Sequence, residues 1–122
     1  MKLQAANLAL RFILELCAVL ALAYWGWTRS EGLLRFILAF GLPLVVATIW
    51  GIFNVPGDPS RSGNAPVPVP GLVRLILEFV IFGVGVLALY GAGLSWAGLI
   101  FGIVVVIHYA LSYKRVAWLL KQ

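Results

Sequence analysis

Charge is what this sequence has least of. Charged residues make up 11% of the chain, against roughly 25% in soluble domains, and so few cannot cover a water-facing surface. Only Glu15, Glu31, Asp58 and Glu78 are acidic. The single cysteine, Cys17, excludes an internal disulfide and a cysteine metal cluster; inside an apolar run it reads as a small buried side chain. The single histidine, His108, has no second strong ligand with which to hold haem or a metal, so no metal site and no cofactor is expected. No phosphate loop and no nucleophile with an adjacent base occurs, which argues against an enzyme. The net charge of +5 is not a nucleic-acid signal either, because no basic stripe or aromatic-interleaved basic patch carries it.

Apolar sequence is abundant instead. Hydrophobic residues reach 63% and the mean hydropathy is +1.06, values that make lipid the solvent. A spanning helix needs about 20 mostly apolar residues, and four segments qualify: residues 7–27, 33–53, 71–90 and 94–113. The first also carries Lys2, Arg11 and Ala21-Leu22-Ala23, elements of a signal peptide, but Glu15 interrupts it and the apolar run continues through Tyr24-Trp25-Gly26-Trp27. Short turns after Thr28 and Gly91 join the segments into two hairpins. Between the hairpins lies residues 54–70, with five prolines among Gly, Ser, Asn and Asp. Proline removes backbone donors and fixes φ, so this loop is neither helix nor central strand, and Val67-Pro68-Val69-Pro70 reads as polyproline II.

Seven of the nine Lys and Arg (Lys2, Arg11, Arg61, Arg74, Lys114, Arg115, Lys121) fall on the side of the termini and the long loop, and Arg29 and Arg35 fall opposite. Positive charge marks the cytoplasmic side, so both termini and the loop are expected in the cytoplasm of a multi-pass protein of the bacterial inner membrane. Residues 113–122 alternate Lys114, Arg115, Trp118 and Lys121 with apolar positions and read as a continuation of the fourth helix or a surface anchor.

The first and third segments repeat a motif. Leu10-Arg11-Phe12-Ile13-Leu14-Glu15 aligns with Val73-Arg74-Leu75-Ile76-Leu77-Glu78, 63 residues later. The matched Arg and Glu are rare in spans and suggest an all-α, four-helix transmembrane bundle made of two parallel-related helical hairpins. Within each motif the Arg and Glu are four apart and share one helix face. Arg11 and Arg74 lie near a helix end and are expected to snorkel to water. Glu15 and Glu78 lie deeper, where a charge costs about 2.5–3.5 kcal/mol, and should turn into the bundle. They are read as a charge network, Arg11, Glu15, Arg74 and Glu78, that fixes packing. The alternatives are a proton- or cation-binding carboxylate in a small coupled transporter, with His108 as a polar or proton site, and lipid-headgroup binding by the arginines. Ala47 with Gly51, and Gly98 with Gly102, are small residues at helix-packing spacing that either close the chain on itself or create a homodimer face. Pro43 is expected to kink the second helix.

Taken in order, Leu10-Arg11-Phe12-Ile13-Leu14-Glu15-Leu16, Tyr24-Trp25-Gly26-Trp27, Gly41-Leu42-Pro43, Trp50-Gly51-Ile52-Phe53-Asn54-Val55-Pro56, Leu77-Glu78 and Phe82-Gly83 resemble the YrdB-like family of small bacterial membrane proteins. The resemblance implies a four-span bacterial protein and supplies no activity. Small multidrug resistance transporters are similar in span number, in length and in the placement of an acid like Glu15, but they lack a long Pro-rich loop. The leading expectation is therefore an integral membrane protein, non-enzymatic, acting by association with itself, a partner or the lipid bilayer, with no nucleic acid involved.

Overall fold

A computed structural model describes residues 2–58 and 64–122, with side chains from Ala5 onward. Arg61, counted above among the cytoplasmic cations, lies outside the described residues. The described chain is all-α apart from one two-residue pairing: α1 (Lys2–Arg29), α2 (Gly32–Ile52), β1 (Phe53–Asn54), β2 (Val67–Pro68), α3 (Gly71–Gly91), α4 (Ser95–Leu111) and α5 (Tyr113–Leu120).

α1, α2 and α3 are each long and apolar enough to cross a membrane. The fourth expected span departs from the expectation. α4 stops at Leu111, and at Ser112 the chain turns by 71° into α5; α4 and α5 together make a fourth span only if the bent pair is counted as one. With 17 residues, α4 is about 26 Å long, slightly less than the ~30 Å hydrocarbon layer. α2 runs unbroken through Pro43, which therefore does not end the helix.

α1 packs on α2, α3 packs on α4, and the two pairs meet along α1 and α3, with α5 laid against α3. The α3–α4 turn follows from local chemistry. Gly93 adopts φ +83°, a left-handed conformation that costs a Cβ-bearing residue energy. Leu94 N–H then reaches Leu89 O and Gly93 N–H reaches Tyr90 O, closing the last carbonyls of α3 in a Schellman motif. The loop is extended where it meets the helices. Phe53 pairs in parallel with Val67 and Asn54 with Pro68, and Val69 N–H bonds Asn54 O.

The core gathers around Phe82. Its ring stands 5.3 Å from Trp50, 6.1 Å from Tyr109 and 6.2 Å from Phe101, centroid to centroid. α2 buries only Ala39 and Trp50, leaving Leu33, Leu34, Phe36, Ile37, Phe40, Leu44 and Val45 exposed. Such a wide apolar exterior matches an apolar solvent rather than water. Cys17 is exposed on α1, contrary to the buried position expected of it. In lipid an apolar thiol gains nothing by turning inward, so burial and hydrophobicity are uncoupled there.

α5 is seated by one glycine. A Cβ built on Gly71 would lie 1.6 Å from Leu119 O, so the backbones of α3 and α5 touch at a point where no other residue fits. Leu119 is fully buried at this contact.

Candidate functional site

Helical spacing supplies the first half of the site. Asn7, Arg11 and Glu15 are spaced i, i+4, i+8 on α1, and Arg74 and Glu78 are i, i+4 on α3, so each set lines one face. The two faces meet. Arg11 Nη2 lies 2.7 Å from Glu78 Oε2, and Arg74 Nε donates to the same oxygen at 2.8 Å.

Arg115 of α5 completes the ring. Its Nη1 donates to Glu78 Oε1 at 2.9 Å and its Nη2 to Oε2 at 2.8 Å. The same guanidinium forks onto Asp58 of the loop, Nε to Oδ1 at 3.0 Å and Nη2 to Oδ2 at 2.6 Å. Tyr109 of α4 adds its hydroxyl, donating to Glu78 Oε1 at 2.7 Å. Glu78 is thus met by three arginines and a phenol, while wholly buried.

Trp50 joins the acids. Arg74 Nη1 donates to Trp50 O and to Phe53 O, both at 2.9 Å, carbonyls at the negative end of the α2 dipole. The Arg74 guanidinium lies 4.7 Å from the Trp50 ring and that of Arg11 5.5 Å, cation–π distances. The indole N–H donates to Glu15 Oε1 at 2.6 Å, and Arg11 Nε lies 3.4 Å from that oxygen. Three arginines and three carboxylates therefore occupy one end of the bundle with no net charge. Such pairing is what makes burial affordable: an ion in a low-dielectric interior costs several kcal/mol unless partnered. On Arg115, burial works against the charge, but the hydrogen bonds it donates to Asp58 and Glu78 outweigh it and hold the guanidinium well above its ordinary range.

Beside the network runs a neutral chain. Asn7 Oδ1 stands 2.8 Å from His108 Nδ1, and Asn7 Nδ2 donates to Ser112 Oγ at 2.6 Å. These bonds tie the start of α1 to α4 and to the α4–α5 corner.

Three expectations are corrected. Arg11 and Arg74 do not snorkel: both are buried, because Glu78 and the carbonyls of Trp50 and Phe53 offer them better partners than a headgroup. Arg115 is no surface cation: it is buried, with Leu119, on the inner face of α5. Glu15 and Glu78 are not equivalent. Glu78 is 0% exposed and Glu15 20%, since Glu15 sits at the rim and reaches the others through Trp50 and Arg11.

The small residues also separate. A Cβ on Gly98 would fall 3.1 Å from the Tyr90 ring, and one on Gly102 3.6 Å from Val86, so this pair packs α4 onto α3. Ala47 is exposed, and a Cβ on Gly51 would meet nothing within 4 Å; this pair does not close the chain on itself. Among the described residues, no three His, Cys, Asp or Glu side chains are grouped to hold a metal ion.

Sequence reasoning missed Asp58, Tyr109, Arg115, Trp50, Asn7 and Ser112. Asp58 follows Gly57 in a proline-rich loop and reads as a turn residue. Arg115 follows Lys114 and reads as an interfacial anchor. The two motifs by themselves balance, Arg11 and Arg74 against Glu15 and Glu78, so no local signal called for a third acid; that need arises only when Arg115 is folded into the site.

Comparison with known proteins now has a site to attach to. The family model described as "Protein of unknown function (DUF2568)" matches residues 9–106. The chain belongs to this family. The chain is also similar to "Uncharacterized protein YrdB" of Bacillus subtilis (strain 168), 40% identical over 121 residues, covering 99% of this chain and 98% of that protein. The resemblance carried by the RxILE, Trp-Gly and Gly-Leu-Pro motifs is therefore to true relatives. A shorter match, 33% identical over 69 residues, covers 52% of this chain and 23% of the "Mitochondrial 2-oxodicarboxylate carrier" of Rattus norvegicus. No solved structure matches the chain. The matched DUF2568 region contains Arg11, Glu15, Asp58, Arg74 and Glu78 and stops before Arg115.

Proposed function

We propose that this DUF2568 protein is a multi-pass protein of the bacterial inner membrane, with four spans and both termini and the Pro-rich loop in the cytoplasm, and that it acts without catalysis, through association. In this reading α1–α2 and α3–α4 are two hairpins related by an axis along the membrane normal, as the RxILE repeat suggests, and α5 closes their cytoplasmic end. The observation that carries the role is the saturation of Glu78. Both carboxylate oxygens already accept donors from Arg74, Arg115 and Tyr109, with Arg11 Nη2 at 2.7 Å. A carboxylate that shuttles protons or cations must exchange its partners, and three covalently tethered guanidiniums compete with any such ligand. The network is accordingly a staple that sets helix packing.

Transport is the second reading, and the partial exposure of Glu15 favours it. The two separate in proteoliposomes holding the full chain. A staple predicts that Glu78→Gln lowers stability while any proton-coupled flux of the wild type stays the same in Glu15→Gln. Loss of a pH-driven flux in Glu15→Gln, with the fold intact, refutes the associative role and establishes a coupled carrier. Orientation is checked by reporter fusions to the C-terminus, which should report a cytoplasmic location.

A further inference from the structure

The six members of the buried network cancel one another, so the net charge of +5 belongs entirely to residues outside it. Their distribution is uneven. At the far end, Glu31 offsets one cation, Arg29 donates to Gly91 O, and Arg35 donates to Trp27 O and Ser30 O. Those guanidiniums are spent on backbone carbonyls. At the α5 end, Lys114 of α5 and Lys121, the residue that caps it, have no such engagement among the described residues. Lys114 and Lys121 are exposed, and Asp58 of the loop pairs with Arg115.

The placement of α5 turns these two cations into a surface. Seven residues apart, Lys114 and Lys121 share one helix face two turns from each other, and Tyr113, Ala117 and Leu120 are exposed along it. The opposite face, Arg115 and Leu119, is locked into the bundle. A helix bent 71° from α4 lies across the end of the bundle, close to the plane of a bilayer that α4 enters. Exposed Tyr and Leu beside lysines match a helix embedded at the headgroup level, where apolar side chains dip inward and ammonium groups reach outward.

We propose that the outer face of α5 is a docking surface for anionic phospholipid, with Lys114 and Lys121 pairing headgroup phosphates and Tyr113 and Leu120 entering the acyl boundary. The occupant is the lipid surface rather than a soluble anion, because the lysines are interleaved with exposed apolar side chains that a soluble anion would leave in water. This rests on the membrane-embedded reading above. It adds to it the partner, its charge and the element that recognises it.

The test uses the full chain in dodecyl maltoside micelles, with phosphatidylglycerol or phosphatidylcholine bound and counted by native mass spectrometry. A lysine near an anionic surface contributes about fivefold in association, so the double variant Lys114→Gln/Lys121→Gln should lose about 25-fold of the preference for phosphatidylglycerol. Lys114→Arg/Lys121→Arg should retain it, and added salt should weaken it in the wild type. Both lysines are exposed, so the fold survives their replacement. Equal binding of the two lipids by the wild type, or an undiminished preference in the Gln variant, overturns the proposal. Binding of glycerol 3-phosphate as strong as that of phosphatidylglycerol overturns the lipid surface in favour of a soluble anion. Failure of the membrane-embedded reading looks different: alkaline carbonate would release the chain from native membranes, whatever its lipid preference.

Discussion

Glu78→Gln is the sharpest perturbation the structure offers. The substitution keeps the shape and removes one negative charge, leaving Arg11, Arg74 and Arg115 around two carboxylates, Asp58 and Glu15. The uncompensated positive charge stays buried, because Arg74 is 0% exposed and tied to the Trp50 and Phe53 carbonyls. Breaking a buried pair by removing one partner costs about 3–5 kcal/mol, and here three cations lose the same partner. At several degrees per kcal/mol for a domain of this size, Tm should fall by more than about 10 °C. Glu15→Gln provides the contrast. Its carboxylate is at the rim and its loss leaves Trp50 able to donate to the new amide oxygen, so the cost should be about 1 kcal/mol. Thermal unfolding of both variants in the same detergent, followed by tryptophan fluorescence, reads the difference, since Trp50 lies against Arg74. Equal losses for the two variants, or a Glu78→Gln loss below about 1 kcal/mol, would refute the claim that Glu78 is the hub of the network.

Three further outcomes follow from named contacts. Asp58→Asn removes half of the fork on Arg115 but leaves Glu78 in place; stability should drop by about 1–3 kcal/mol, and the loop should become more sensitive to protease. Gly71→Ala places a methyl 1.6 Å from Leu119 O, so α5 must move; overpacking of about 1–3 kcal/mol and faster cleavage after Ser112 are expected, and wild-type stability would show that α5 is not seated there. His108→Leu strands Asn7 Oδ1 without its partner at about 1–3 kcal/mol, whereas His108→Asn can still donate to it and should be the milder change. Denaturant midpoints of the pair decide the order.

The contrast between Glu15 and Glu78 also shows where sequence reasoning stops. A charge deep in an apolar run must find a partner, so the inward turn of Glu78 was readable from cost alone, whereas Arg11 and Arg74, nearer a helix end, were expected to snorkel and are instead buried. Periodicity likewise placed Arg74 and Glu78 on one face, because i and i+4 are neighbours on any helix. The equivalence of the two acids was not readable. Identical motifs on two helices share local geometry, and which one lies at the centre depends on the neighbours each helix acquires. α3 lies between α1, α4 and α5, and Glu78 is central because of that.

From sequence alone came the all-α class, the apolar runs of α1, α2 and α3, the resemblance to the YrdB-like family, and the short turn at Gly93. All of these depend on composition and on contacts within a few residues. Only the tertiary structure decided that Asp58 and Arg115, 57 residues apart, form a bidentate pair, that the chain breaks at Ser112, and that α5 rests on Gly71. Each is a meeting of distant segments whose local sequence is equally compatible with a solvated turn or a surface helix. What selects the buried alternative is the cost of leaving three arginines with too few carboxylates, a cost that exists only once the helices have been brought together.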